Sequence, residues 1–234
     1  MQFKIFNNQI LVPLKCGSTY MEMVYPENVI DVSYDNLPQF KDVTAIIIRE
    51  PFDHLQSALH TEILMECWEF NKLLSIETAI PIIKKFINTD LNPRGSTHWD
   101  VNYYENLYKF WKQNRNTIKI IHLSELSSFL KENYDVDLAH DKFSYGIPAH
   151  GGNFKYSFTT KQKLAKWIEE TLPDMWNDLI RDIPKADKFY NLMINGEISE
   201  IYELEERNAE LTNKVDELEK FKSAMRKHTK NTLI

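Results

Sequence analysis

The stretch Thr44-Ala45-Ile46-Ile47-Ile48 is apolar or β-branched throughout and breaks off at Arg49-Glu50-Pro51. A short run without polar alternation fits a strand covered on both faces, and such strands belong to parallel sheets with helices on either side. Pro51 suits the first turn of a helix, because its ring fixes φ near the helical value and its missing N–H would have had no partner there. The pattern predicts an α/β fold in which Arg49 stands at the carboxyl end of a strand and Ser57 about two turns into the next helix. Open parallel sheets bind ligands in the crevice outside those strand ends. Taken singly, Arg49 also reads as half of a surface salt bridge and Ser57 as a residue on a solvated helix face.

A second strand-to-helix junction lies upstream. The apolar run Gln9-Ile10-Leu11-Val12-Pro13 leads into Leu14-Lys15-Cys16-Gly17-Ser18-Thr19. The free N–H groups of a helix start carry partial positive charge, and glycine lets a polyanion approach the main chain. Lys15 would add a full charge, and Ser18 and Thr19 would add donors. The order Lys-x-Gly-Ser-Thr is not the Gly-x4-Gly-Lys of nucleotide P-loops, so ordinary ATP or GTP binding is not indicated. A turn with no ligand is the alternative for this stretch alone.

Together the two junctions resemble the sulfotransferase family, whose donor is 3′-phosphoadenosine 5′-phosphosulfate (PAPS). Its 5′-phosphosulfate loop, Pro-Lys-x-Gly-Ser/Thr-Thr/Ser, is matched by Lys15-Cys16-Gly17-Ser18-Thr19, with Leu14 where proline is usual. Its 3′-phosphate motif, Arg-x-Pro-x-x-Arg-x-x-Ser, is matched by Arg49, Pro51 and Ser57, with His54 in place of the second Arg. Thr97-His98-Trp99-Asp100 looks like the His-Trp segment of carbohydrate sulfotransferases, and Ala149-His150-Gly151-Gly152-Asn153 like their His-x-Asn segment. The resemblance covers about residues 1–193. It implies a P-loop-like parallel sheet flanked by helices, PAPS as donor, a hydroxyl acceptor that is a carbohydrate, and no metal.

Within that resemblance, Lys15 would meet the charge that develops on the oxygen bridging to the nucleotide. Cys16, Gly17, Ser18 and Thr19 would hold the 5′-phosphosulfate, and Arg49 and Ser57 the 3′-phosphate. Asn153 or Lys155 would close over the nucleotide. Loss of such a charge-stabilising donor typically costs a few kcal/mol of barrier. The acceptor hydroxyl needs a base, for which His98 in a Gly/Pro-bearing loop is the first candidate and His60, three residues after Ser57 on nearly the same helix face, the second. Between the two motifs, Glu22, Glu27, Asp31 and Asp35 are the carboxylates near enough in sequence to stand in for it.

Bulk properties fit one enzyme-sized domain: 234 residues, 43% hydrophobic and 12% aromatic. The net charge of −6 argues against nucleic acid as a partner. No apolar run reaches the ~18 residues of a transmembrane helix, and the start lacks a signal-peptide layout. A cytoplasmic protein is the expectation. Since animal carbohydrate sulfotransferases are membrane-anchored, the resemblance then points to a bacterial or viral relative or a cytosolic setting. Cys16 and Cys67 are too few for a disulfide framework or a zinc site, which suits a reducing compartment. Cys16 in an electropositive loop also raises the idea of a thiol nucleophile.

Strands are expected at Gln2 to Phe6 and Gln9 to Pro13, paired across Asn7-Asn8, and at Val29 to Ser33, Thr44 to Ile48 and Ile118 to Leu123. Helices are expected at Phe52 to Phe70, Ile76 to Asn88, Tyr103 to Gln113, Leu126 to Tyr134, Thr160 to Leu172 with Thr159 or Thr160 as N-cap, and Pro173 to Ile183. Asn92 to Thr97 reads as a loop.

After Gly196 the pattern changes. Ile201, Leu204, Asn208, Leu211, Val215, Leu218, Lys222 and Met225 occupy alternating a and d positions of a heptad repeat. Leucines at d with Val215 and Ile201 at a favour two parallel strands, and Asn208 at a fixes the register. The domains are therefore read as 1–193, sulfotransferase-like, and 197–228, a coiled-coil tail joining a homodimer; an amphipathic helix packed on its own domain is the alternative. A degenerate domain serving as a coiled-coil interaction protein and a small kinase are the competing functional readings.

Overall fold

The computed structural model of the chain describes residues 2–18, 21–22, 25, 27–69, 75–87, 99, 102–136 and 160–231. Two compact units emerge, Met1–Gly196 and Glu197–Ile234. The first is α/β. Strands β1 (Gln2–Phe6), β2 (Ile10–Pro13), β3 (Val29–Ser33), β4 (Ala45–Ile48) and β5 (Lys119–His122) form one sheet in the order β3-β1-β2-β4-β5.

The sheet is mixed, not wholly parallel as expected. β2, β4 and β5 run parallel, whereas β1 is antiparallel to both β2 and β3. Local geometry explains the reversal: Asn7 and Asn8 adopt φ of 50° and 58°, and Gln9 N–H closes the turn onto Phe6 O at 3.0 Å. Asparagine tolerates the left-handed region better than most residues, so the hairpin forms where the sequence places those two.

Every residue of β2 and β4 is buried, which accounts for their uninterrupted apolar sequences. Alternation sends Phe6, Ile10, Val12, Ala45, Ile47 and Ile121 to one face, where they meet Cys16, Met21 and the helix α4 (Leu126–Tyr134) through Leu126, Phe129 and Leu130. On the other face Phe3 stacks on Tyr103 of α3 (Tyr103–Asn114), with ring centroids 5.7 Å apart. Each fully buried isoleucine of β4 contributes about 1.5–3 kcal/mol. β3 is an edge strand, with Val32 buried on one face and Val29 partly buried against the core on the other.

The remaining α-helices among the described residues of this unit are α1 (Pro51–Glu69), α2 (Ile76–Phe86), α5 (Lys161–Thr171), α6 (Pro173–Ile180) and α7 (Ile183–Asn195). α1 starts at Pro51 itself, and Thr160 is the N-cap of α5, its hydroxyl accepting from Lys163 N–H at 3.3 Å. α7 was not anticipated, and α6 ends at Ile180, earlier than expected. Proline near the start of α7 is tolerated because the first-turn N–H groups lack partners, and the helix closes on Gly196 at φ 70°.

The second unit is one helix, α8 (Glu200–Asn231). Among the described residues no helix is long and apolar enough to cross a membrane.

Candidate functional site

Because β2, β4 and β5 are parallel neighbours, their carboxyl ends share one edge, with adjacent strands about 4.7–4.9 Å apart. Beyond β2 the chain turns sharply: Cys16 N–H donates to Pro13 O at 3.1 Å, and Lys15 takes φ 66°. A left-handed lysine costs about 1–2 kcal/mol, so the surroundings must hold it there. Gly17 follows at φ 94°, and Met21 N–H donates back to its carbonyl at 3.0 Å, opening a helical turn at Ser18. Glycine is required at this position for two reasons. Its φ suits no L side chain, and a Cβ would lie 3.0 Å from Leu123 Cδ1 and 3.2 Å from Leu126 Cδ2.

One edge over, Arg49 leaves β4. Its Nη1 donates to Lys15 O at 2.8 Å, which joins the two sequence motifs directly. His54, one turn into α1, adds a second link. It is fully buried, with Nε2–H donating to Leu14 O at 3.0 Å and Nδ1 facing Tyr104 Oη at 3.2 Å. The Tyr104 hydroxyl in turn donates to Arg49 O at 2.6 Å. His54 thus points into the core, where Trp99, Tyr103 and Tyr104 pack edge-on against it. It stands where the family pattern has a second Arg, but it organises backbone.

Charges collect on the same helix face. Asp53, one turn after Arg49, accepts from Arg49 Nε and from Lys161 Nζ at the start of α5. Burial alone would raise the Asp53 pKa, but hydrogen bonds and charge from Lys161 and Arg49 outweigh it and hold the carboxyl below its ordinary value. Burial lowers the Lys15 ammonium, Glu62 opposes that shift, and the Arg49 charge adds to it. Ser57 and His60 continue the face at helical spacing from Asp53. His60 is 7% exposed, and its Nε2 has no hydrogen-bond partner among the described residues. Burial, then the charges of Lys161 and Lys15, hold this imidazole below its ordinary pKa. An unmet buried polar atom costs about 1–3 kcal/mol, a penalty a bound polar group would remove.

A cavity of about 390 Å³ opens between the ends of β4 and β5, lined by Arg49, Glu50, Asp53, His122, Leu123 and Ser124. It takes in Arg49 but not Lys15. His122 is oriented by its own loop: Nδ1 accepts from Ser124 N–H at 3.3 Å and faces Ser124 Oγ at 2.6 Å.

Of the residues singled out from sequence, Lys15, Cys16, Gly17, Ser18, Arg49 and Ser57 are described, and the contact between Arg49 and Lys15 O joins the first loop to the second strand end. Thr19, His98, Asn153 and Lys155 lie outside the described residues. Cys16 is no nucleophile: it is fully buried, and burial pushes its thiol up to about 12. Trp99, beside His98 in sequence, belongs to the core at 3% exposure. Sequence reasoning missed Asp53, Tyr104 and Lys161. The i,i+4 spacing of Arg49 and Asp53 was a legible signal; Lys161, 108 residues from its partner Asp53, left none. Among the described residues no group of three or more His, Cys, Asp or Glu could hold a metal ion. Compared with known proteins, the chain matches no family model, no curated protein and no solved structure.

Proposed function

We propose that the first unit is a PAPS-dependent sulfotransferase acting on a hydroxyl, probe sugars being the first acceptors to try. The reading rests on the resemblance of Lys15–Thr19 and Arg49–Ser57 to two phosphate-binding motifs. The observation that carries it is the hydrogen bond from Arg49 Nη1 to Lys15 O, which makes the two basic elements parts of one surface.

In this reaction the acceptor oxygen forms a bond to sulfur while the bond from sulfur to the bridging phosphate oxygen breaks. The acceptor proton passes to a base, and 3′-phosphoadenosine 5′-phosphate leaves. Lys15, with the amides of the Gly17 turn, would stabilise the leaving oxygen, and Arg49 and Ser57 would hold the 3′-phosphate. Asn153 and Lys155 would cover the nucleotide. His98 is the base of this reading. His60 is the substitute, supported by its Nε2 on the Asp53–Ser57 face, which has no partner among the described residues.

Calorimetry with 3′-phosphoadenosine 5′-phosphate against ADP tests the binding half. Preference for the 3′-phosphorylated nucleotide, lost in Arg49→Ala, is expected; equal binding of both sinks the proposal. Transfer of labelled sulfate to a panel of sugars tests the chemistry, with loss in Lys15→Ala and in His98→Ala. Retained turnover in His98→Ala with loss in His60→Ala reassigns the base.

A second reading draws on Asp53. This carboxylate already neutralises Arg49 and Lys161 from within, as suits a domain that no longer takes an anion and serves as an interaction module. Absence of binding by either nucleotide favours it.

A further inference from the structure

We infer that α8 pairs with α8 of a second copy of this chain as a parallel, in-register two-stranded coiled coil. This assembly is independent of the proposed chemistry. The helix runs from Glu200 to Asn231, about 48 Å at 1.5 Å per residue, and carries a heptad repeat along most of that length. Ile201, Leu204, Leu211, Val215 and Leu218 form its a/d stripe, and each is between 53% and 68% exposed. Aliphatic side chains so spaced, on one helix, leave an apolar seam in water, interrupted at Asn208.

Several features commit the seam to a second copy and to one orientation. The spacing is 3.5 residues, which matches a supercoiled partner helix and drifts off a straight one. Asn208 and Lys222 both stand at a positions. Asparagine at a is satisfied when it meets its own counterpart, as happens only in a parallel, in-register pair, and polar a residues select low strand number. The flanking charges agree. Parallel pairing sets Lys214 of each copy against Glu219 of the other; opposed to this are Glu200 with Glu205, repeated by symmetry at the start of the helix, and Lys222 with its own counterpart, whose long side chain reaches solvent from the edge of the seam.

The antiparallel alternative, centred between Leu211 and Val215 so that the heptads overlap fully, does worse. It sets Glu205 against Glu219 at both ends and Lys214 against Lys214 in the middle, and it buries Asn208 opposite Leu218. Like charges facing each other oppose that arrangement, and the unpaired amide adds to the cost.

The full chain with Leu218→Cys is oxidised under mild conditions beside the wild-type chain, which reports any bridging through Cys16 or Cys67. In the parallel pair position 218 meets itself, so a covalent dimer specific to the variant is expected. In the antiparallel pair the two thiols stand about 15 Å apart and stay reduced. Sedimentation equilibrium supplies the second readout. A dimer is expected at micromolar concentration for the wild type, and a monomer of unchanged first-unit stability for Leu211→Glu combined with Leu218→Glu. A monomeric wild-type chain, a dimer indifferent to both glutamates, or a dimer without the variant-specific crosslink overturns the inference.

Discussion

Asp53 shows how one side chain can hold two cations together. Its carboxylate bridges Arg49 and Lys161, and the partly exposed pairs are worth roughly 0.5–1 kcal/mol each. On the proposed function, Asp53→Asn binds 3′-phosphoadenosine 5′-phosphate roughly two- to five-fold more tightly, because the phosphate would no longer compete with an internal anion. The pH dependence has a fixed sign. With a folded pKa below the unfolded value of about 3.9, Asp53 stabilises the fold above that value, and the contribution is lost as pH falls through the folded pKa. Denaturant titrations should therefore find Asp53→Asn less stable than wild type at neutral pH, with the difference closing in strong acid. A constant difference at all pH values rejects the assignment. At this scale the sequence was readable where partners lie within a turn, as for Arg49 and Asp53. It was silent where they lie far apart, as for His54 with Leu14 O and Tyr104, because a side chain that serves backbone geometry has no local signature.

The element that most constrains the site is the turn after β2. Gly17 reads from sequence as a place for close anion approach, yet the structure gives it another duty: Leu123 and Leu126 fill the space a side chain would need. Gly17→Ala combines a positive-φ penalty with two tight contacts, and a loss of about 1–3 kcal/mol is expected in chemical denaturation. Stability within a few tenths of a kcal/mol of wild type would mean that the turn relaxes. Strands were legible because β2 and β4 are apolar throughout and β1 is bounded by Asn7 and Asn8. The helix from Pro173 was legible as α6, but α7 was not: it begins at Ile183, where the expected helix ended, with Pro184 in its first turn. Its Ile183, Ala186, Phe189 and Met193 still mark a buried face at helical spacing.

For the molecule as a whole, the α/β character and a change at Gly196 could be read in advance, whereas the strand order could not. Sheet order depends on which strands find each other across long separations, and the antiparallel pairing of β1 with β3 is decided by contacts between strands far apart in the chain. What the sheet encloses has a practical side. Cys16 sits at zero exposure among Phe6, Val12, Met21, Ile47 and Leu130, under a thiol held far above the reactive range. A maleimide added to a Cys67→Ser chain therefore has no route to sulfur until the first unit opens. Its labelling rate should track the unfolding equilibrium across a urea series, and rapid modification in buffer alone would contradict this. The loop after β2 thus contains its own chemical stopwatch, one that starts only when the fold lets go.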